Sequence, residues 1–254
     1  MMKPNVLILR APGTNCDNET AYAFELAGAK TEKIHINRLL ENVSILDRFQ
    51  ILCFPGGFSY GDDIAAGRIL ATQIRQNLSD VFQRFKDSEK LILGICNGFQ
   101  ILVKSGLLLA DDQNGALATL TWNDCGIYTD RWVRLKSNSQ KCVFLKEMDS
   151  IYLPIAHAEG KFVARNDQIL DSLEMNGQLA LKYDPQDNPN GSVRHVAGVC
   201  DESGRVFGLM PHPERFIDWT QHPQWTRQEN SNSNQNNKRG DGFALFQNAV
   251  NYFD

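Results

Sequence analysis

No stretch of the 254 residues approaches the ~20 consecutive apolar positions that cross a bilayer, so no transmembrane helix is expected. A basic excess is also missing. Lys and Arg number 26 against 30 Asp and Glu, a formal net charge of -4, which excludes a bulk field drawing nucleic acid or an anionic membrane. The first ten residues hold one Lys and a short apolar run but no small-residue cleavage site, so no signal peptide is expected. The six cysteines (Cys16, Cys53, Cys96, Cys125, Cys142, Cys200) include no CxxC pair. Neither a disulfide framework nor a metal site is expected, and the thiols read as those of a cytoplasmic protein. There is no P-loop motif and hence no ATP site of that type. No internal repeat and no linker divides the chain, so residues 1–254 are expected to form one domain.

What is present is an ordinary globular composition, 42% hydrophobic and 22% charged, which excludes a disordered chain. Apolar runs at Val6 to Leu9, Ile51 to Phe54 and Leu91 to Ile95 alternate with helical periods at Asn18 to Gly28, Ala65 to Phe85 and Asn97 to Ser105. That alternation predicts α/β architecture, a central mostly parallel sheet with helices on both faces. Further along, Trp132 to Lys136, Ile151 to Ile155, Lys161 to Ala164, Leu179 to Tyr183, His195 to Cys200 and Val206 to Met210 are short strand candidates separated by turn signals. They predict a small antiparallel extension. The Asn/Ser-rich stretch at about 228–240 lacks apolar anchors and reads as a mobile loop. Gly242 to Phe253 reads as a closing amphipathic helix.

The sharpest local signal is Gly94-Ile95-Cys96-Asn97-Gly98, set between a buried strand and a helix. This is the layout of a nucleophile elbow with Cys in place of Ser. The following helix N-terminus favours thiolate, and the Asn97 N–H faces a developing oxyanion. A Cys nucleophile needs a base, and only five histidines are available: His35, His157, His195, His212 and His222. His212 lies between two prolines after an apolar run. Glu214, two residues on, faces the same way if the chain is extended, which meets the demand of a Cys-His-Glu triad. His35 reads as structural and His222 as a weak surface candidate. After the Ile51 to Phe54 run, Pro55-Gly56-Gly57 frees backbone N–H groups for a small polar site, with Gly57 a second oxyanion donor. The other five cysteines read as packing thiols.

Phe54-Pro55-Gly56-Gly57, Gly94-x-Cys96-x-Gly98-x-Gln100 and Pro211-His212-Pro213-Glu214 together resemble the class I (triad) glutamine amidotransferases. The resemblance implies a single flavodoxin-like domain, with Cys96 as nucleophile, His212 as base and Glu214 orienting it. It implies Gly57 and Asn97 as the oxyanion hole, Gln100 as a glutamine contact, and His157 with Glu159 near the mouth of the site. Arg10 to Asp17, Gly57 to Asp63, Pro154 to Phe162 and Asn188 to Ser192 narrow the resemblance to the branch serving purine biosynthesis. That branch usually has Gly and Arg where this chain has Ala158 and Lys161, positions outside the triad. Such a chain hydrolyses L-glutamine and has no cofactor of its own. Its ammonia goes to a large synthetase subunit holding ATP and Mg, often with a small third subunit, which forms an amidine on formylglycinamide ribonucleotide. Another amidotransferase pathway is the alternative reading.

Overall fold

A computed structural model describes residues 3–138, 141–228 and 239–254. Most of the expected loop at 228–240 lies outside the described residues. The strands are β1 (Asn5–Arg10), β2 (Lys30–His35), β3 (Ile51–Phe54), β4 (Leu91–Ile95), β5 (Ala118–Thr121), β6 (Thr129–Ser137), β7 (Ser150–His157), β8 (Lys161–Ala164), β9 (Leu181–Tyr183), β10 (Val196–Cys200) and β11 (Val206–Leu209). The helices are α1 (Asp17–Leu26), α2 (Ile36–Glu41), α3 (Arg68–Asn77), α4 (Ser79–Asp87), α5 (Asn97–Ser105), α6 (Asp167–Met175), α7 (Trp225–Gln228) and α8 (Phe243–Asn251).

Nine of these strands form one sheet in the order β2-β1-β3-β4-β11-β10-β9-β6-β7. The first five are mutually parallel, and every residue of β3, β4 and β11 is buried. That burial on both faces is why these strands read as unbroken apolar runs rather than alternating ones. The chain leaves β1 in one direction for β2 and leaves β3 in the other for β4. Right-handed crossovers in opposite directions place α1 and α3 on opposite faces. From β11 the sheet continues through antiparallel β10, β9, β6 and β7, the expected extension built onto the same sheet. β5 and β8 pair as a separate two-stranded sheet.

Two details depart from the sequence reading. The Ala65 to Phe85 period is not one helix. Leu78 leaves the helical region (φ -128°, ψ 2°), separating α3 from α4 within Asn77-Leu78-Ser79, where polar residues of modest helix propensity flank the break. The short elements α2, β5, α6 and α7 are not expected from the sequence pattern. The N-cap Asn166, whose side chain accepts the Ile169 N–H, starts α6.

The parallel order places a switch point between β1 and β3, the two strands that leave in opposite directions. In open α/β sheets, ligands bind beyond the carboxyl ends of the strands near that point. Four chain segments leave the sheet there: the turn after β1 that contains Cys16, Gly56-Gly57 after β3, Cys96 after β4 and His212 after β11.

Candidate active site

Cys96 occupies a backbone conformation that side chains rarely adopt, φ 51° and ψ -104°. The geometry is enforced by close approaches on either side. A Cβ on Gly98 would fall 1.9 Å from the Phe54 carbonyl oxygen, and one on Gly94 2.5 Å from Leu102 Cδ1. The two glycines of the motif thus let α5 sit directly against β3 and β4. The Cys96 N–H donates to Leu209 O at 2.7 Å, locking the turn to β11. The thiol, 5% exposed, points to Ala156 O at 3.7 Å. The Asn97 N–H opens α5 and so belongs to the helix-terminal amides that have no intrahelical partner.

His212 follows β11 and is fixed by its own N–H donating to Pro154 O at 2.9 Å. Its Nδ1 lies 2.7 Å from Glu214 Oε1, and both residues are buried. The pair does not meet through extended chain, as the sequence reading had it. Pro213–Arg215 forms a single 3-10 turn with His212 as its N-cap, and this turn brings the carboxylate back to the ring. Burial works against a charged imidazole here, but the Glu214 carboxylate and then Cys96 more than offset it. His212 therefore holds its proton well above the ordinary histidine range.

Gly57 has φ 145°, and a Cβ there would lie 2.8 Å from Asn15 N and from Gly13 O. The segments after β1 and β3 therefore fit together only with glycine at this position. Gly56 lies beside the His212 imidazole: its Cβ would meet His212 Cε1 at 2.9 Å and Cys16 Sγ at 3.0 Å.

The remaining expected site residues form a scaffold beside the thiol. Asn97 Oδ1 accepts the Ser59 N–H at 3.1 Å, and Asn97 Nδ2 donates to Gln100 Oε1 at 3.0 Å. Gln100 Nε2 donates to Glu159 O at 2.6 Å, so both ends of that buried amide are engaged. The Glu159 carboxylate accepts the Ala66 N–H at 3.2 Å and lies 3.6 Å from Lys104 Nζ. This chain of bonds ties the 59–66 loop, α5 and the end of β7 into one unit. His157 closes it: Nδ1 lies 3.1 Å from Asn123 Oδ1, which also accepts the Gly160 N–H. Burial, and then the charge of His212, push His157 down to about 3, so it stays neutral.

Several contributors escaped the sequence reading. Cys16, 1% exposed, is not merely a packing thiol: its S–H donates to Asn15 Oδ1 at 3.2 Å, it accepts from Arg215 Nη2 at 3.3 Å, and it interacts with His212. The available signal was its place in a turn after the first parallel strand, on the same sheet edge as the other motifs. Cys125 is exposed and is not a packing thiol either, because it lies on the loop before β6. His222 is 4% exposed, against Trp132, Tyr152 and Phe216, and is not a surface residue. His35 ends β2 and caps α2 through Nδ1, as a structural histidine would.

A thiol on a strained turn at a helix N-terminus, with an imidazole and carboxylate behind it, has the parts for nucleophilic attack on an acyl carbon. The family of CobB/CobQ-like glutamine amidotransferase domains matches residues 3–253. A protein of Dehalococcoides mccartyi named phosphoribosylformylglycinamidine synthase subunit PurQ is 48% identical, over 99% of this chain and 98% of that one. One of the same name from Methanococcus maripaludis is 40% identical over 99% and 98%. Among solved structures, a chain of PurLQS from Thermotoga maritima superposes with a TM-score of 0.76 at 32% identity, covering all of both chains. A glutamine amidotransferase from Thermotoga maritima (TM-score 0.55, 15% identity, 91% of this chain and 84% of that one covered) shares the fold.

Proposed function

The chain belongs to the CobB/CobQ-like glutamine amidotransferase domain family, and from that premise we propose that Cys96, His212 and Glu214 are its catalytic triad. Its activity is that of the glutaminase subunit of phosphoribosylformylglycinamidine synthase, a reading supported by full-length relatives named phosphoribosylformylglycinamidine synthase subunit PurQ. It works with a synthetase subunit. Residues 1–254 act as one amidotransferase domain in the cytoplasm. The observation that carries the triad is the convergence of the strained Cys96 turn and the 2.7 Å His212–Glu214 pair on one sheet edge.

The high proton affinity of His212 favours an imidazolium beside a Cys96 thiolate. The thiolate attacks the side-chain carboxamide carbon of L-glutamine. The oxyanion is held by the Gly57 and Asn97 N–H groups, each such donor worth about 3 kcal/mol. The His212 imidazolium gives its proton to the departing nitrogen, the C–N bond breaks, and ammonia leaves a γ-glutamyl thioester. Neutral His212 then takes a proton from water, and the hydroxide adds to the thioester. The C–S bond breaks, restoring thiolate and imidazolium, and glutamate leaves with its carboxyl proton passing to solvent. Gln100, His157 and Glu159 shape the glutamine pocket from the adjoining scaffold. The synthetase subunit, with a small third subunit, holds ATP and Mg and uses the ammonia to convert formylglycinamide ribonucleotide to the amidine.

The test is labelling with 6-diazo-5-oxo-norleucine, an electrophilic glutamine analogue, followed by peptide mapping. The adduct is expected on Cys96, with Cys96→Ala releasing no glutamate. A label on another cysteine overturns the assignment.

A further inference from the structure

Cys16 has no part in the hydrolysis just described, yet it sits against the base that performs it. Its Sγ, a His212 ring nitrogen and a Glu214 carboxylate oxygen all lie within 4.8 Å of one another, and all three residues are buried. Around a tetrahedral zinc ion, thiolate, imidazole and carboxylate ligand atoms lie about 3.3–3.6 Å apart, given metal–ligand bonds of about 2.0–2.3 Å. The His212 Nδ1–Glu214 Oε1 contact of 2.7 Å would have to open by under an ångström. Gly56 packs closely on this pair, since a Cβ there would meet His212 Cε1 at 2.9 Å and Cys16 Sγ at 3.0 Å, so only glycine leaves both ligand residues where they are.

A second observation points to a ligand. Glu214 Oε2 is buried and has no hydrogen-bond partner among the described residues, an arrangement that leaves a carboxylate lone pair uncompensated. Beside the cluster lies Arg215, whose Nη2 donates to the Cys16 sulfur at 3.3 Å while Nε holds Glu19 at 3.2 Å. An N–H donor to the ligating sulfur is what outer-shell partners of metal thiolates supply.

We propose that Cys16, His212 and Glu214 form a binding site for a thiophilic divalent cation, of which Zn2+ is the type, and that its occupancy stops glutamine hydrolysis. Binding replaces the Cys16 thiol proton and the proton on His212 Nδ1, both released to solvent, so affinity rises with pH. The Nδ1 lone pair and the Glu214 carboxylate are then committed to the metal. His212 keeps only the Nε2 proton and loses its orienting carboxylate, and it can no longer cycle between acid and base. The site rests on geometry alone, while the inhibition rests on the catalytic role proposed for His212.

The test measures Zn2+ binding by competition with a chromophoric chelator, using the full chain with Cys96→Ala so that the nucleophile supplies no thiolate. A single Zn2+ per chain is expected, with Co2+ giving a thiolate-to-metal charge-transfer band in the near ultraviolet. Adding Cys16→Ser, which keeps the side chain's shape, is expected to abolish the band and weaken Zn2+ at least roughly tenfold. Circular dichroism reports whether the fold is kept, and Cys16→Ala serves as a second replacement. Unchanged binding on loss of Cys16 overturns the site. Zn2+ is also added to the wild-type chain assembled with its synthetase. Cys16-dependent binding that leaves glutaminase activity intact would uphold the site and overturn the catalytic role of His212.

Discussion

At Cys96 the backbone is held at φ 51°, where a side chain strains against its own peptide. Such a conformation costs of order 1–3 kcal/mol and persists only because its surroundings over-determine it. Glycine is exempt from this strain. Replacing Cys96 by Gly should therefore leave a chain more stable than Cys96→Ala by about 1–2 kcal/mol, measured by urea unfolding. This reverses the order usual near a helix, and equal stabilities would mean the turn is unstrained. The neighbouring base gives a second expectation. With Glu214→Gln the largest of the influences that raise His212 is gone. The alkaline limb of the glutaminase pH profile, where the imidazolium loses its proton, should move to lower pH. The maximal rate should fall roughly 10²- to 10⁴-fold. An unmoved limb would separate Glu214 from the titration of His212. These residues were legible in the sequence because each is announced by glycine or proline at fixed offsets. Cys16 has a weaker signal, its place in the turn after β1, and nothing in its immediate neighbours distinguishes a thiol that packs from one that meets a histidine far along the chain.

The elements that carry the site differ in how they were written. β3, β4, β8 and α5 appear in the sequence with the bounds they have in the structure: β3 and β4 are buried apolar runs, nearly all of α5 is buried, and β8 starts directly after Gly160. β5 and α6 escaped because their stability comes from partners, β8 in one case and a cap in the other. The scaffold of Asn97, Gln100 and Glu159 could be named from resemblance, but its connectivity lies in side-chain bonds across elements. His157, at the end of β7, gives this scaffold a pH dependence. Its folded form takes up a proton only near pH 3, against an ordinary value of 6.5. Below 6.5 the unfolded chain binds a proton that the folded one refuses, so stability falls as pH drops through that window. His212 has the opposite sign: its raised value gives stability that is full below 6.5 and lost as pH climbs through the folded value. Replacing His157 by Asn should remove only the acid-side loss. Between about pH 6.5 and about pH 5, urea unfolding should show wild type losing about 1.6 kcal/mol more than the variant. Equal losses would mean that His157 is solvated when folded.

Across the whole molecule, every functional segment leaves the same edge of one nine-stranded sheet, so the thiol can serve only what approaches that edge. Ammonia must cross to the synthetase without meeting bulk water, where protonation would remove its nucleophilicity. Under the proposed function, the synthetase subunit covers the surface around Cys96. Large apolar side chains stand exposed on the loops bonded to the scaffold beside Cys96. Phe58 and Ile64 lie 40% and 66% exposed on the loop that Asn97 and Glu159 tie down, while Trp122, Ile127 and Tyr128 lie 57%, 65% and 48% exposed before β6. Tyr128 lies near Cys96. Large apolar side chains left exposed on loops bonded to the site's scaffold fit a docking face. Ile127→Asp should leave the fold intact, since the side chain touches mainly solvent. It should weaken association with the synthetase subunit by at least about tenfold, equivalent to about 1.4 kcal/mol. In the reconstituted complex, glutamine-dependent amidine formation should fall with occupancy while ammonia-dependent formation persists, because only delivery is broken. Affinity unchanged by Ile127→Asp would place the synthetase elsewhere and leave the ammonia without a sealed route from this edge.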